Sequence, residues 1–185
     1  METNEYAILK LNNEIVDLVK WDGTKNDIIK YKDQNSDYFG KVKPRNDQQK
    51  MMFDLLQNRN IPVKMIRGQF GSGKTFLALV HAINYVKYHK FDKIVYVRNN
   101  VEVAGSQKLG ALPGEQEDKL MPWLMPLADH LGGQEALYQA IDNGEIEPLH
   151  LGYIRGRNIK NSIIFVDEAE NLTTDNVKLI IGRAE

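Results

Sequence analysis

The chain has 185 residues, a formal net charge of −1, 42% hydrophobic and 26% charged residues, and no cysteine. That length holds one α/β domain with a short appendage, and the balance is that of a folded chain. Disulfide scaffolds and thiolate metal sites are excluded, and net charge alone makes no case for a polyanion or a membrane as partner. No apolar run approaches the roughly 18 residues of a membrane span. The polar, acidic start with Glu2, Asn4 and Glu5 lacks the form of a signal peptide. The expectation is a cytoplasmic protein with no membrane partner.

In chain order, residues 5–31 are rich in β-formers. Apolar runs at Tyr6–Leu9, at Ile15, Val16, Leu18 and Val19, and at Ile28, Ile29 and Tyr31 are separated by turn residues Asn12-Asn13 and Asp22-Gly23. This predicts a small antiparallel meander. Residues 35–43 are mostly polar and read as a connector, so a β-rich segment with its linker is expected over 1–40 and the main domain over 41–185. Met51, Met52, Leu55 and Leu56 predict a helix over 47–58. A short strand is expected at Pro62–Ile66, a glycine-rich turn at Gly68–Thr75 and a buried helix over 75–88. The next strand is expected at Lys93–Val97. Residues 99–114, with Gly105, Gly110 and Gly114, read as a long loop. Helices are expected over 115–130 and 134–141, a short strand at Ile146–Leu149, and a final helix over 174–181. Ile163–Val166 is continuously apolar, as a central parallel strand should be. Strands alternating with helices predict an α/β fold, a parallel sheet with helices on both faces.

Two motifs carry chemistry. Gly68-Gln69-Phe70-Gly71-Ser72-Gly73-Lys74-Thr75 fits G-x-x-x-x-G-K-[ST] at every fixed position, between an expected strand and an expected helix. Glycines let the backbone curl its N–H groups toward phosphate oxygens, and the helix start adds further donors. Lys74 would reach the β- and γ-phosphates, and Thr75 would ligate Mg²⁺ through its hydroxyl. With the adjoining Phe76, these residues are the candidate ATP-binding set. Asp167 and Glu168 end the apolar strand. The first would hold the Mg²⁺ shell with Thr75, and the second would polarise the attacking water. The alternative for Asp167 is a plain helix cap. No N-K-x-D guanine signature is present. The acidic pair favours a motor- or helicase-type ATPase over a small-molecule kinase, and a nucleotide-holding module with little turnover stays open beside it.

Other residues are weaker signals. Lys41, Lys43 and Arg45 form a short basic stretch that makes RNA a candidate partner. Lys87, Lys90 and Lys93 read as a solvated helix end, and Trp123 as core. His81, His89, His130 and His150 show no ligand spacing, so no metal beyond Mg²⁺ is expected.

Several segments resemble the PhoH family of P-loop ATPases. They are Pro44-Arg45-Asn46-Asp47-Gln48-Gln49, Val101–Pro122 with Leu109-Gly110, Leu112-Pro113-Gly114 and Lys119, Tyr153-Ile154-Arg155-Gly156-Arg157, Asp167-Glu168-Ala169-Glu170-Asn171, and Lys178 with Arg183. The resemblance covers roughly residues 41–185 and implies a P-loop NTPase fold of the RecA/helicase-like kind, ATP hydrolysis with Mg²⁺, and a link to RNA metabolism. It implies an adenine-reading role for Gln49 and contacts to phosphate or a neighbouring subunit for Arg155, Arg157 and Arg183. Some family members carry an RNA-cleaving PIN domain in front. The β-rich segment is similar to the region between that domain and the ATPase in those longer members. Ser106, Glu170 and Gly182-Arg183-Ala184 depart from the family pattern.

Two more expectations concern assembly and completeness. One core has no second core to supply an arginine across the nucleotide, so a ring-like homo-oligomer is expected. The family's next strand would insert between the phosphate-loop strand and the acidic strand. The chain stops at Glu185, so a domain incomplete at its C-terminus is expected, with poor activity by itself.

Overall fold

The computed structural model describes residues 2–88, 90–98 and 116–185. His89 and the expected loop at 99–114, with Gly105, Ser106 and Leu112-Pro113-Gly114, lie outside the described residues, as does the side chain of Trp123. The chain forms two compact units, one reaching to His81 and one running from Ala82 to Glu185.

The first unit opens with the antiparallel sheet that its turn residues anticipate. Strands β1 (Tyr6–Leu11), β2 (Glu14–Trp21) and β3 (Asn26–Ile28) pair in sequence order. Asn12 and Asn13 adopt φ of 49° and 67°, the left-handed pair that a two-residue hairpin turn needs. At the second turn Asp22 Oδ1 accepts from the backbone N–H of Thr24 and of Lys25, at 2.7 and 2.8 Å.

The expected connector at 35–43 is instead a second hairpin, β4 (Gln34–Ser36) and β5 (Gly40–Val42). Its composition hides it, because the turn is made locally: Ser36 Oγ accepts from the N–H groups of Tyr38 and Phe39, and Gly40 takes φ 63°.

Helix α1 (Asp47–Gln57) starts at Asn46, whose side chain accepts from Gln49 N–H. Phe53 of α1 packs with Val42, Leu77 and Val80 in a core joined by Tyr31, Met52 and Phe76. A single carboxylate ties the meander to this helix. Asp54 accepts from Tyr6 Oη (2.7 Å), Lys20 Nζ (2.7 Å) and Lys30 N–H (2.8 Å), and it is 5% exposed. Burial alone would push its carboxyl up, but these three donors outweigh burial and hold it below the usual range.

The expected strand at Pro62–Ile66 does not form. The segment has no ladder partner among the described residues, and Val63 and Met65 are exposed. An apolar alternation alone does not make a strand, because the backbone groups need a neighbour.

Helix α2 (Lys74–Lys87) crosses the boundary between the units. Its buried His81 is locked in one tautomer: Nδ1–H donates to Leu77 O at 2.7 Å, and Nε2 accepts from Gln57 Nε2–H at 3.2 Å. Burial, helped by the Lys64 charge and opposed by the Leu77 carbonyl, pushes its pKa down to about 4. The unfolded value is near 6.5, so the unfolded chain binds the extra proton between the two. This contribution to stability is full above pH 6.5 and is lost as pH falls toward 4, at most about 3 kcal/mol. Melting of the protein and of His81→Gln between pH 7 and 4.5 is expected to converge as pH falls, and parallel curves would refute the assignment.

In the second unit, β6 (Lys93–Arg98), β7 (Ile146–His150) and β8 (Ser162–Asp167) form a parallel sheet ordered β7-β6-β8. The central strand is β6, not β8 as expected. Ile94, Val95, Tyr96 and Val97 are consecutively buried, whereas every residue of β8 is half-buried. Asn161 and Asp92 pin the starts of β8 and β6 through Asp92 N–H to Asn161 O (2.9 Å) and Asn161 Nδ2 to Asp92 Oδ1 (2.8 Å). Helices α3 (Gln116–Leu131) and α4 (Gln134–Asp142) lie between β6 and β7 in the chain. The final helix α5 (Thr174–Ile181) sets Ile180 against Val95, Val97, Leu149 and Ile154. No helix among the described residues is long and apolar enough to cross a membrane.

Candidate functional site

The candidate residues fall in two groups, one in each unit. In the first, the backbone from Gly68 turns into α2 through Gly71 and Gly73, at φ 73° and 85°, values that glycine adopts without strain. A β-carbon at Gly71 would meet open space, so conformation and not crowding calls for glycine there. At Gly73 it would lie 3.4 Å from Gln49 Nε2. Lys74 Nζ donates to Gly68 O and Gln69 O, both at 2.8 Å, which wraps the loop around the ammonium. Leu77 N–H makes the first α-helical bond, to Gly73 O at 2.9 Å. The N–H groups ahead of it form a helix start, which carries partial positive charge. Thr75 is the second residue of α2, and Phe76 is the third, with its ring edge-on to Phe39 at 5.2 Å. Phe70 is almost fully exposed and lies beneath the Lys74 ammonium.

Gln49 belongs to this group by direct contact. Its Nε2 donates to Ser72 O at 3.0 Å, and its Oε1 accepts from Arg45 N–H at 2.8 Å. Both ends of the amide thus brace backbone here, so reading a base would require the side chain to leave them. Of the basic stretch nearby, Lys41 and Lys43 both face Asp33, at 3.1 and 3.8 Å.

The second group sits at the carboxyl end of the parallel sheet, where ligands of open α/β sheets bind. Asp167 ends β8, and its Oδ2 accepts from Tyr96 Oη at 2.8 Å. Tyr96 is 2% exposed and stacks on Phe165. Burial, and then the Asp167 carboxylate, hold its hydroxyl well above the usual phenol range, so it stays a donor. Glu168 does not continue the strand. It adopts φ 51° and ψ 44°, and its Oε1 accepts from Arg98 Nη2. Sequence reasoning missed Tyr96 and Arg98. The available signal was a phenol and a guanidinium at alternate positions at the end of a strand whose preceding residues, Ile94 and Val95, are apolar.

The three candidate arginines differ. Arg157 Nη2 lies 2.6 Å from Glu147 Oε1, which also binds Lys93 Nζ through its other oxygen at 2.7 Å. Burial works against the charge of Glu147, but these two cations hold its carboxyl below the usual range. Arg155 is exposed on the turn closed by Gly156. Arg183 lies just beyond α5; its Nε is buried with no hydrogen-bond partner among the described residues, and its carbonyl accepts from Ile159 N–H at 2.9 Å.

The residues present suit a nucleotide with Mg²⁺. No group of three or more His, Asp or Glu among the described residues could cage a metal alone. Mg²⁺ needs none, because it is held by one or two protein oxygens together with phosphates and water.

A family model described as PhoH-like protein matches residues 41–185. The chain is 37% identical over 153 residues to Protein PhoH2 of Bacillus subtilis (strain 168), covering 77% of this chain and 34% of that one. It is 33% identical over 145 residues to the PhoH-like protein of Synechocystis, covering 77% and 43%. It is 32% identical over 145 residues to the PhoH-like protein of Mycobacterium tuberculosis (strain ATCC 25618 / H37Rv), covering 77% and 40%. It thus spans less than half the length of these curated relatives. The match extends through both units and both candidate groups, and the chain belongs to the PhoH-like protein family.

Proposed function

We propose that this chain is the ATP-binding part of an Mg²⁺-dependent ATPase of the RecA/helicase-like P-loop class, coupled to RNA metabolism. The observation that carries the reading is the loop from Gly68 to Thr75. Its motif is complete, Gly71 and Gly73 take left-handed φ, and it runs directly into a 14-residue helix. Lys74 would exchange its two loop carbonyls for phosphate oxygens, a charge-assisted contact stronger than the one it leaves. Thr75 and Asp167 would hold the magnesium ion, which when bound neutralises charge on the phosphates. Tyr96 orients the Asp167 carboxylate, and Glu168 is the general base.

We place the boundary of the ATPase domain at residue 41 and extend the reading to a ring-like homo-oligomer. Arg155, exposed and outside any ion pair among the described residues, is the first candidate to reach a neighbouring subunit. Arg157 would have to leave Glu147 to do so. Lys41, Lys43 and Arg45 are the candidate RNA contacts.

Titration calorimetry with a non-hydrolysable ATP analogue tests the reading. Lys74→Ala is expected to weaken binding at least about tenfold, the scale of one charged hydrogen bond. Unchanged affinity would remove Lys74 from the phosphate site.

A further inference from the structure

Strand β6 presents two polar side chains two residues apart, and therefore on one face: Tyr96 and Arg98. Each takes one of two consecutive acids, Asp167 at the end of β8 and Glu168 just beyond it. Tyr96 donates to Asp167, and Arg98 pairs with Glu168. The first contact keeps Asp167 in line with its strand. The second accompanies a departure, since Glu168 turns into the left-handed region, where a residue with a β-carbon is disfavoured. Such a conformation persists only where something holds it, and the Arg98 guanidinium is a strong partner at that carboxylate. The Arg98 side chain is mostly buried, at 18% exposure, while that of Glu168 remains 43% exposed. The anchor is fixed and the carboxylate is within reach of solvent.

We infer that Arg98 is a positioning residue that holds Glu168 in a resting orientation, from which the carboxylate must be released before it can accept a proton from water. This rests on the reading of Glu168 as the general base. An oxygen accepting from a guanidinium is not accepting from water, so each turnover includes the breaking of this pair. The restraint sets a low unstimulated rate. Any ligand that draws the guanidinium away raises it.

The test uses the full-length protein and steady-state ATP hydrolysis without other ligands. Arg98→Gln keeps most of the side-chain length and removes the charge. It is expected to raise kcat about two- to fivefold, the reach of one partly exposed ion pair, with KM for ATP unchanged. Arg98→Lys, which keeps the charge, is expected to stay near the parent rate. The double variant Arg98→Gln with Glu168→Gln is expected to be as slow as Glu168→Gln alone, which a purely structural role for Arg98 would not require. If Arg98→Gln proves too unstable to assay, ionic strength supplies a second readout. Screening weakens a pair whose carboxylate is partly exposed, so kcat of the unaltered protein at saturating ATP is expected to rise with salt. A lowered or unchanged kcat in a folded Arg98→Gln variant, or a kcat flat with salt, overturns the latch while leaving Glu168 as base. Wild-type turnover in Glu168→Gln overturns the general-base reading itself, and the latch with it.

Discussion

In the full-length protein, Glu168→Gln is expected to slow ATP turnover by roughly a hundredfold or more, the scale of losing a general base, while leaving nucleotide affinity near its parent value. The side-chain amide matches the carboxylate in shape but has negligible basicity. Glu168 also lies outside the loop that would bind phosphates, so binding has no reason to change with it. The substitution replaces the Arg98 ion pair with a weaker hydrogen bond, which changes the resting orientation and not the phosphate site. Single-turnover measurement separates the two effects: the chemical step should slow, whereas equilibrium binding of an ATP analogue should not change. A normal single-turnover rate would move the base to another residue. Glu168→Asp, which keeps the charge and shortens the reach, should retain a measurable rate above that of Gln.

Asp54→Ala is expected to cost about 3–5 kcal/mol, the range for removing one partner of a buried ion pair. Three donors converge on this carboxylate, and the Lys20 side chain is only 15% exposed. Against a typical total of about 5–15 kcal/mol, the loss is severe. In a chain of this size it should lower Tm by roughly 6–20 °C. Replacing both ends of the pair, Asp54→Leu with Lys20→Met, should recover much of the loss, since no lone charge then stays buried. Thermal melting of the three proteins decides it. A drop under about 1 kcal/mol for Asp54→Ala would show that the meander is held by its apolar contacts and not by this carboxylate.

Much of the candidate site was legible because its chemistry is local in sequence. Gly68–Thr75 carries its curl, its cation and its helix start within eight residues, and Asn12-Asn13 specifies its own turn. The β4–β5 hairpin was hidden because Ser36 and Gly40 make it in a segment with little apolar patterning. Pro62–Ile66 failed in the opposite way: its side chains suit a strand, but strand formation depends on a neighbour that no local pattern encodes. The centrality of β6 over β8 also depends on packing, since both runs are equally apolar. Arg157 shows the limit of reasoning by residue type. A guanidinium suited to phosphate is equally suited to Glu147, and only the fold brings the two together.

The ladder register has a consequence for how the two groups come into being. Pairing in the meander links near neighbours in the chain, such as Leu11 with Glu14, and closing so short a loop costs little entropy. The acidic pair depends on Tyr96 with Asp167 and Arg98 with Glu168, separated by 71 and 70 residues. Contacts of that separation form slowly, because chain entropy is lost before any of them is gained. The candidate phosphate loop and its helix start rest on contacts close in sequence, such as Lys74 with Gly68 and Leu77 with Gly73. The arrangement of Asp167 and Glu168 exists only once the parallel sheet has closed, so the loop proposed to hold phosphates is expected to take shape before the pair proposed to act on them.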